Sequence, residues 1–519
     1  MHRDVRSSGA LGLALAIGCG DAGSTSDATE TGMTGTSSTT SAGPGDTSAA
    51  PTTGEAASGG TTSGGTTSGG TTSDDSGPAP IDCGAFTPGP DFHVCTATYL
   101  GGAGADAAGG LDFAPDGTLV VGGGFPGHTF GATPTVIGDG DGAVVRMASD
   151  GRTVLSVTRL AAAVQDLAVA ADGTIAVVGE FGAARLAADG SAALWTAALP
   201  GARRVAVGVD GTVAALHDAA VAVFAADGAA LGEFAVAGTA IHDIAVDGVS
   251  HSVFATGYRQ SDQGACQQYK STFIRSYGYD GAVRWVDYDW DGEDVDDTED
   301  CADSTGFGLA IGRDGKLYYA AKSDGGNTVH RKQPRDLTAD APNVATDPYD
   351  TPYGLKGANA VGYYARFDPA TGAHEGGQFI VSRKAGPGED PAAAEANAAP
   401  PDQATALADG TIVVVGNAAY LLEGHDDKSI DGAPLGAYTA YEPYVLIVSP
   451  DFQQRLAWTA FTAAGPGSSR GVAVGPDRAA ALFGQSAEDV AKGPLITVDA
   501  LQPSPGGDAD AWLTVFPAP

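Results

Sequence analysis

Residues 287–303, DYDWDGEDVDDTEDCAD, set ten carboxylates in 17 residues and open on Asp-x-Asp-x-Asp-Gly. Such alternation aims carboxylates at a hard cation, and Gly292 permits the sharp turn of a calcium loop. Asp287, Asp289, Asp291 and Glu293 are therefore candidate Ca2+ ligands. The far end departs from the pattern. A loop of this type closes on Glu, but the closing position holds Thr298 with Glu299 one residue late, and the shorter form's closing Asp is replaced by Val295. A solvated acidic loop and a recognition patch for a basic partner are the other two readings of the same residues.

A second constellation is Asp166, Arg204 and Asp243, with Gln165, Arg203 and His242 beside them. They fall at one level in three successive copies of the repeat described below. Carboxylates, a guanidinium and an imidazole at one level can bind a substrate, or can tie repeats together as an ion-pair network. No GxSxG, HExxH, Walker or helix-opening GxGxxG motif occurs, so nucleophile and nucleotide chemistry have no anchor. His128, His330 and His425 are scattered over long loops.

Five cysteines bound the compartment. Cys83, Cys95, Cys266 and Cys301 show no CxxC and no His at ligand spacing, which argues against zinc. If Cys19 is set aside, they form an even set, as expected of an oxidising compartment, and pairing of nearest neighbours, Cys83–Cys95 and Cys266–Cys301, is expected. Arg3 and Arg6, an apolar stretch from Ala10 to Ile17, and Gly18-Cys19 have the order of an export signal. The run LALAIGC resembles a bacterial lipobox, with Ala16 where Leu is commoner, and implies that Cys19 carries lipid. The expected division is a lipoprotein signal peptide at 1–18, a disordered tether at 19–81 and a folded region at 82–519. The tether is Ser, Thr, Gly, Ala and Asp, with the pentad GGTTS repeated from Gly59 to Ser73, and such composition cannot bury a core.

The elements that must position these residues are strands. With 77 Gly, and apolar runs broken by Asp-Gly, the chain lacks the 3.6-residue periodicity of helices. Seven units repeat an alternating strand, a turn and a second strand: GGLDFAPDGTLVVGG, VQDLAVAADGTIAVVGE, ARRVAVGVDGTVAAL, HDIAVDGVSHSVFATG, GFGLAIGRDGKLYYA, DQATALADGTIVVVG and SRGVAVGPDRAAALFG. Asp-Gly suits a two-residue hairpin in which both residues take positive φ. Third and fourth strands lie between units, which is the size of a propeller blade. The seventh unit ends at DADAWLTVF without a fourth strand, and a spare strand, FHVCTATYL at 92–100, precedes the first. The expected fold is all-β: a seven-bladed β-propeller closed by this N-terminal strand. Closure also removes exposed sheet edges.

TYLGGAGADAAGGLDFAPDGTLVVGG and HDIAVDGVSHSVFATGY resemble the SBBP-type bacterial β-propeller repeat, closely over Thr98–Gln260 and loosely beyond. The resemblance implies the fold and an envelope location. That family has no single activity, so it implies no chemistry. Trp195, Trp285 and Trp458 recur in fourth strands and are read as packing between blades.

Long insertions, at 125–141, 259–270, 287–305, 322–358, 383–401, 418–441 and 486–507, all follow a second or a fourth strand, so one face is trimmed and the other elaborated. Cys266 and Cys301 fall on the elaborated face, Cys83 and Cys95 on the trimmed one. A formal net charge of −36 makes nucleic acid a poor partner and leaves the membrane reachable only through the N-terminal lipid. The chain is expected to be a monomeric, non-catalytic scaffold that offers its loop-rich acidic face to a protein or glycan partner, with Ca2+ as its one cofactor candidate. A metal-dependent propeller enzyme of lactonase or lyase type, with its site at the channel mouth, is the alternative. A structural or adhesive surface component is a third.

Overall fold

The computed structural model describes residues 83–266, 268–345, 360–384, 396–438, 441–461 and 467–519. The chain divides into two units, Met1–Asp74 and Asp75–Pro519. The expected signal peptide, Cys19 and the expected tether lie outside the described residues.

Asp75–Pro519 is all-β and built from many small sheets. Seven of them share one antiparallel plan in which the first strand is innermost. Sheet one comprises Ala107–Phe113, Leu119–Gly124, Gly142–Met147 and Val154–Leu160. Sheet two comprises Val164–Val169, Ile175–Gly179, Gly182–Leu186 and Ala193–Ala197. Sheet three comprises Ala202–Val207, Val213–His217, Ala220–Phe224 and Ala230–Ala235. Sheet four comprises Ala240–Asp247, Ser252–Ser261, Tyr269–Gly278 and Val283–Tyr288. Sheet five comprises Ser304–Ile311, Leu317–Ser323, Val361–Phe367 and His374–Arg383. Sheet six comprises Pro401–Ala406, Ile412–Ala418, Glu442–Val448 and Arg455–Ala460. Sheet seven takes Ser468–Val474, Arg478–Ser486 and Ala509–Pro517 from the end of the chain and Thr96–Leu100 from its beginning. Thr96 pairs with Val515 and Leu100 with Ala511.

The inner strand of each sheet packs on that of the next, and that of sheet seven packs on that of sheet one. Middle strands such as Ile175–Gly179 and Glu442–Val448 are buried throughout, as strands covered on both faces must be. This is where the core sits: between sheets rather than around one centre.

The hairpin turns differ from the sequence expectation in one respect. In Ala114–Thr118 only Gly117 takes positive φ, 83°. Gly117 N–H donates to Ala114 O at 2.9 Å, Ala114 N–H donates to Thr118 O at 2.8 Å, and the Asp116 carboxylate accepts from Thr118 N–H at 2.9 Å. The loop is therefore three residues long, a type I turn followed by a left-handed Gly. Asp serves by its side chain, not by its tolerance of positive φ. In sheet four the Asp comes early: Asp247 accepts from Val249 and Ser250 N–H, and His251 takes the left-handed position with φ 52°.

The insertions follow second and fourth strands, as the sequence indicates, but they do not simply pile up on one face. Several return along an outermost strand. Thr135–Val136 pairs parallel with Thr158–Arg159 of sheet one, and Val344–Ala345 pairs parallel with Gly377–Gln378 of sheet five. Val498 and Ala97 exchange backbone bonds at the outer edge of sheet seven. Tyr288 N–H, at the end of sheet four, donates to Pro334 O at 2.8 Å. Beside sheet six, Phe92 stacks edge-on to Phe461, and Arg455 pairs with Glu423 at 3.1 Å. Unpaired strand edges invite association, and covering them removes that liability. Sheets two and three carry no insertion: Gly179 leads to Gly182, and His217 to Ala220, across two residues.

Candidate functional site

The level that holds Asp166, Arg204 and Asp243 is defined by a repeated irregularity. In all seven sheets the inner strand slips against its neighbour by one residue, at 109, 165, 203, 242, 307, 402 and 470. Such a bulge leaves one residue unpaired and re-aims the side chains around it. The three predicted residues do share a level, and the bulge register adds Gln403 to it directly, with Asp402 and Arg470 at the bulge itself. Sequence reading missed these three, although aligning the quoted units on that position would have found them.

The structure uses these groups to clip five of the seven neighbouring pairs of sheets together. Asp166 Oδ2 accepts from Val205 N–H at 3.0 Å, Asp243 Oδ2 from Leu309 N–H at 2.8 Å, and Gln403 Oε1 from Val472 N–H at 2.9 Å. Asp112, two residues further along sheet one, accepts from Val169 N–H at 2.8 Å. Between sheets three and four the polarity is reversed: Arg204 Nε donates to His242 O at 3.1 Å and lies 3.6 Å from Asp243 Oδ1, while Arg203 donates to Ile241 O at 3.1 Å. The His242 ring bonds through Nδ1 to Gly306 O at 2.7 Å. Asp402 bonds Ser469 of sheet seven. Sheets seven and one meet by apolar contact, with Gly471 against Leu111 and Gly475 against Phe113.

Burial acts on these carboxyls more strongly than their partners do. It pushes Asp166 up to about 7, and Asp112 and Asp402 up to about 6; nearby arginines oppose it at all three, with backbone donors at Asp166 and Asp112 and the Ser469 hydroxyl at Asp402. Asp106 and Asp287 are raised by burial in the same way, to about 6 and about 7. Each such carboxyl keeps its proton in the folded chain at pH values where the unfolded chain has lost it. The folded state therefore binds more protons between about 4 and about 7, and stability falls as pH rises through that window. Two buried imidazoles run the other way, His330 lowered to about 3 and His374 to about 4 by burial. They cost stability as pH falls below the ordinary histidine value. Asp243, Asp300 and Asp510 are raised as well and His128 and His242 lowered, so eight carboxyls stand against four imidazoles and outweigh them. The melting midpoint is expected to rise as pH is lowered from about 8 to about 5, and Asp166→Asn is expected to flatten the rise. Thermal melts showing a falling midpoint over that interval would contradict this balance.

The acidic segment is placed differently from the sequence expectation. Asp287, next to last in the outer strand of sheet four, has its side chain fully buried and bonds Arg335. Tyr288 and Asp289 then both take left-handed backbone, φ 59° and 64°, held by bonds to Pro334 O and Thr272 O. Strand alternation ends there, so the carboxylates diverge. Asp289 accepts from Arg259 at 3.0 Å and from Arg275 at 2.7 and 2.9 Å. Asp291 bonds Arg259 and caps the helix Gly292–Asp296, where Asp294 accepts from Asp291 N–H at 2.9 Å. Three arginines thus occupy the three alternating aspartates, while Glu293, Asp294, Asp296, Asp297 and Glu299 remain exposed. Glu293 is not brought to the other three candidates.

Cys83–Cys95 and Cys266–Cys301 are both disulfides, with Cα separations of 5.0 and 5.6 Å. The first staples the start of the strand that joins sheet seven. The second brackets the acidic segment, and Asp296 lies beside it. The three histidines do not converge. His330 is buried against Tyr288 and Tyr363, His425 pairs with the buried Glu442 at 2.7 Å, and His128 packs on Phe130. Trp195 and Trp285 donate to carbonyls in turns of the following sheet, Ala226 O at 3.2 Å and Pro369 O at 3.1 Å. They pack neighbouring sheets together.

No family model and no curated protein matches the chain. The resemblance to the SBBP-type repeat therefore rests on the residues quoted for it. Among solved structures, the chain is similar to BamB from Moraxella catarrhalis, with TM-score 0.36 and 11% identity over 81% of this chain and 100% of that one. It is similar to the Pan2 WD40 domain of Neurospora crassa, with TM-score 0.40 and 10% identity over 82% and 97%. A chain of Kuenenia stuttgartiensis hydrazine synthase matches with TM-score 0.44 and 8% identity over 76% and 95%. Likeness at this level transfers no activity, and the functional reading is built on the chain's own geometry.

Proposed function

We propose that the chain is an exported seven-bladed β-propeller, closed by Thr96–Leu100, that serves as a non-catalytic binding scaffold of the cell envelope. The seven sheets and the succession of inner-strand contacts support the ring. The observation that carries the scaffold reading is polarity: insertions leave from one end of the sheets, while the turns at the other end stay tight. A rigid frame with one elaborated end is built to present loops. The five exposed carboxylates around Gly292–Asp296 make that end acidic and favour a cationic or polyhydroxylated partner.

The enzyme alternative is weaker because Asp166, Arg204, Asp243 and His242 each bond the backbone of a neighbouring sheet. A general acid or base must reach substrate rather than staple strands. A structural or adhesive role shares the same surface and differs only in partner. Two disulfides favour an oxidising compartment. No helix among the described residues is long and apolar enough to cross a membrane. Attachment would then fall to a lipid on Cys19.

A photo-reactive residue placed at Glu293, Tyr441 or Leu501 in cells should yield adducts with a partner; absence of adducts from all three would sink the scaffold reading. Cys19→Ser should move the protein wholly from the membrane to the soluble fraction. Unchanged fractionation would rule out the anchor.

A further inference from the structure

The outer strands of the seven sheets are not equivalent. In sheets one, four, five, six and seven the outer strand has buried residues, and inserted or N-terminal segments of the chain lie along or beside it. In sheets two and three, Ala193–Ala197 and Ala230–Ala235 have no buried residue, and each pairs with one neighbour only. Leu194 and Leu231 are 56% and 45% exposed on them. Between the two sheets lies a cavity of about 410 Å³ lined by residues that include Leu199, Ala222, Phe224, Leu231 and Glu233. Two adjacent open strand edges thus flank an apolar groove.

How such an edge is filled is visible elsewhere in the same chain. At sheets one and five an extended segment adds parallel to the outer strand, and at sheet seven one adds antiparallel. In each case backbone bonds hold the segment. We propose that the outer strands of sheets two and three accept an extended polypeptide segment of a partner in this same mode, a basic segment with alternating apolar residues. Backbone pairing supplies affinity, and every second side chain enters the groove. Charge selects the partner: Glu233 lines the groove, Glu180, Asp189 and Asp227 are exposed in adjoining turns, and the chain as a whole carries −36. A cationic strand is attracted and an acidic one is repelled. The inference deepens the scaffold reading and rests on it, but assigns the contact to bare edges rather than to the loop-rich end.

The test is fluorescence anisotropy with a synthetic peptide of alternating Val and Lys, against the same peptide with proline at every second position. The full chain should bind the first and not the second, because proline cannot donate to a ladder. Leu231→Lys should weaken binding by at least about tenfold through charge repulsion. Leu155→Lys is the control, since Leu155 is 42% exposed on the outer strand of sheet one, whose edge is already paired at Thr158–Arg159, three residues on. It should leave binding unchanged. Equal binding of both peptides, no binding of either, or equal loss in both variants would overturn the proposal. A dimer dissolved by Leu231→Lys in sedimentation would also overturn it, by making a second copy the occupant. Photo-adducts at Leu501 with none at Leu231 would overturn this site and leave the scaffold standing. Adducts at neither Leu231 nor any of the three loop positions would sink both.

Discussion

Tyr99→Ala is expected to destabilise the protein by about 3–5 kcal/mol, the range for emptying a fully buried aromatic site. Tyr99 lies in the strand that joins the chain's beginning to its last sheet and is fully buried. Its hydroxyl donates to Gln485 Oε1 at 2.6 Å and accepts from Leu495 N–H at 2.7 Å. The substitution therefore opens a cavity and strands two buried polar groups 386 and 396 residues away in sequence. Tyr99→Phe keeps the ring and loses only the hydrogen bonds, at about 1–3 kcal/mol. Denaturant melts separate the two. A cost below about 1 kcal/mol for Tyr99→Ala would mean that Thr96–Leu100 is not part of the cooperative fold. Closure by the N-terminal strand would then fail.

Arg275→Ala should cost about 3 kcal/mol, because a charge pair is broken with one partner left in place. Arg275 is nearly buried, bonds Asp289 through Nε and Nη2, reaches Ala237 O and covers the Phe273 ring at 4.1 Å. Arg275→Lys should recover little of the loss, since an ammonium cannot reproduce the planar fork. The same preparation tests the cation. If arginines rather than Ca2+ neutralise Asp287, Asp289 and Asp291, a chelator leaves the melting midpoint of the wild type unchanged. A midpoint that rises with calcium, together with an Arg275→Ala variant that calcium restores, would return these carboxylates to metal binding.

How much of this was legible in the sequence differs by feature. The sheets were readable because their signal is local and repeated: period-two strands such as Ile175–Gly179 beside an Asp-Gly turn. The cysteine pairing followed from the same count, since it places Cys266 and Cys301 in neighbouring loops. The shared level of Asp166, Arg204 and Asp243 was also readable, because each sits one residue after a bulge in equivalent strands.

Where the carboxylates of the acidic segment point was not legible, because non-local bonds decide it. Asp-x-Asp-x-Asp implies one face only while the backbone stays extended. Thr272 O and Pro334 O capture the amides of Asp289 and Tyr288 and turn the chain there. The arginines that take the carboxylates come from two inner-sheet strands and from a distant hairpin at Arg335. No spacing within 287–303 announces them. The fate of the insertions was equally hidden. Two-residue segments such as Thr135–Val136 and Val344–Ala345 carry no periodicity, and their partners lie on another strand of the same sheet. The bare edges of sheets two and three were written in plain view as the absence of insertions there, yet their meaning appears only beside the covered ones.

That the outer strands of sheets two and three are the open ones is tested most directly by native-state hydrogen exchange resolved by residue. Amides of Ala193–Ala197 and Ala230–Ala235 that point away from their one partner should exchange at least about a hundredfold faster than those of Thr96–Leu100 and His374–Arg383, whose outer edges are bonded. Uniformly slow exchange across all seven outer strands would contradict the account.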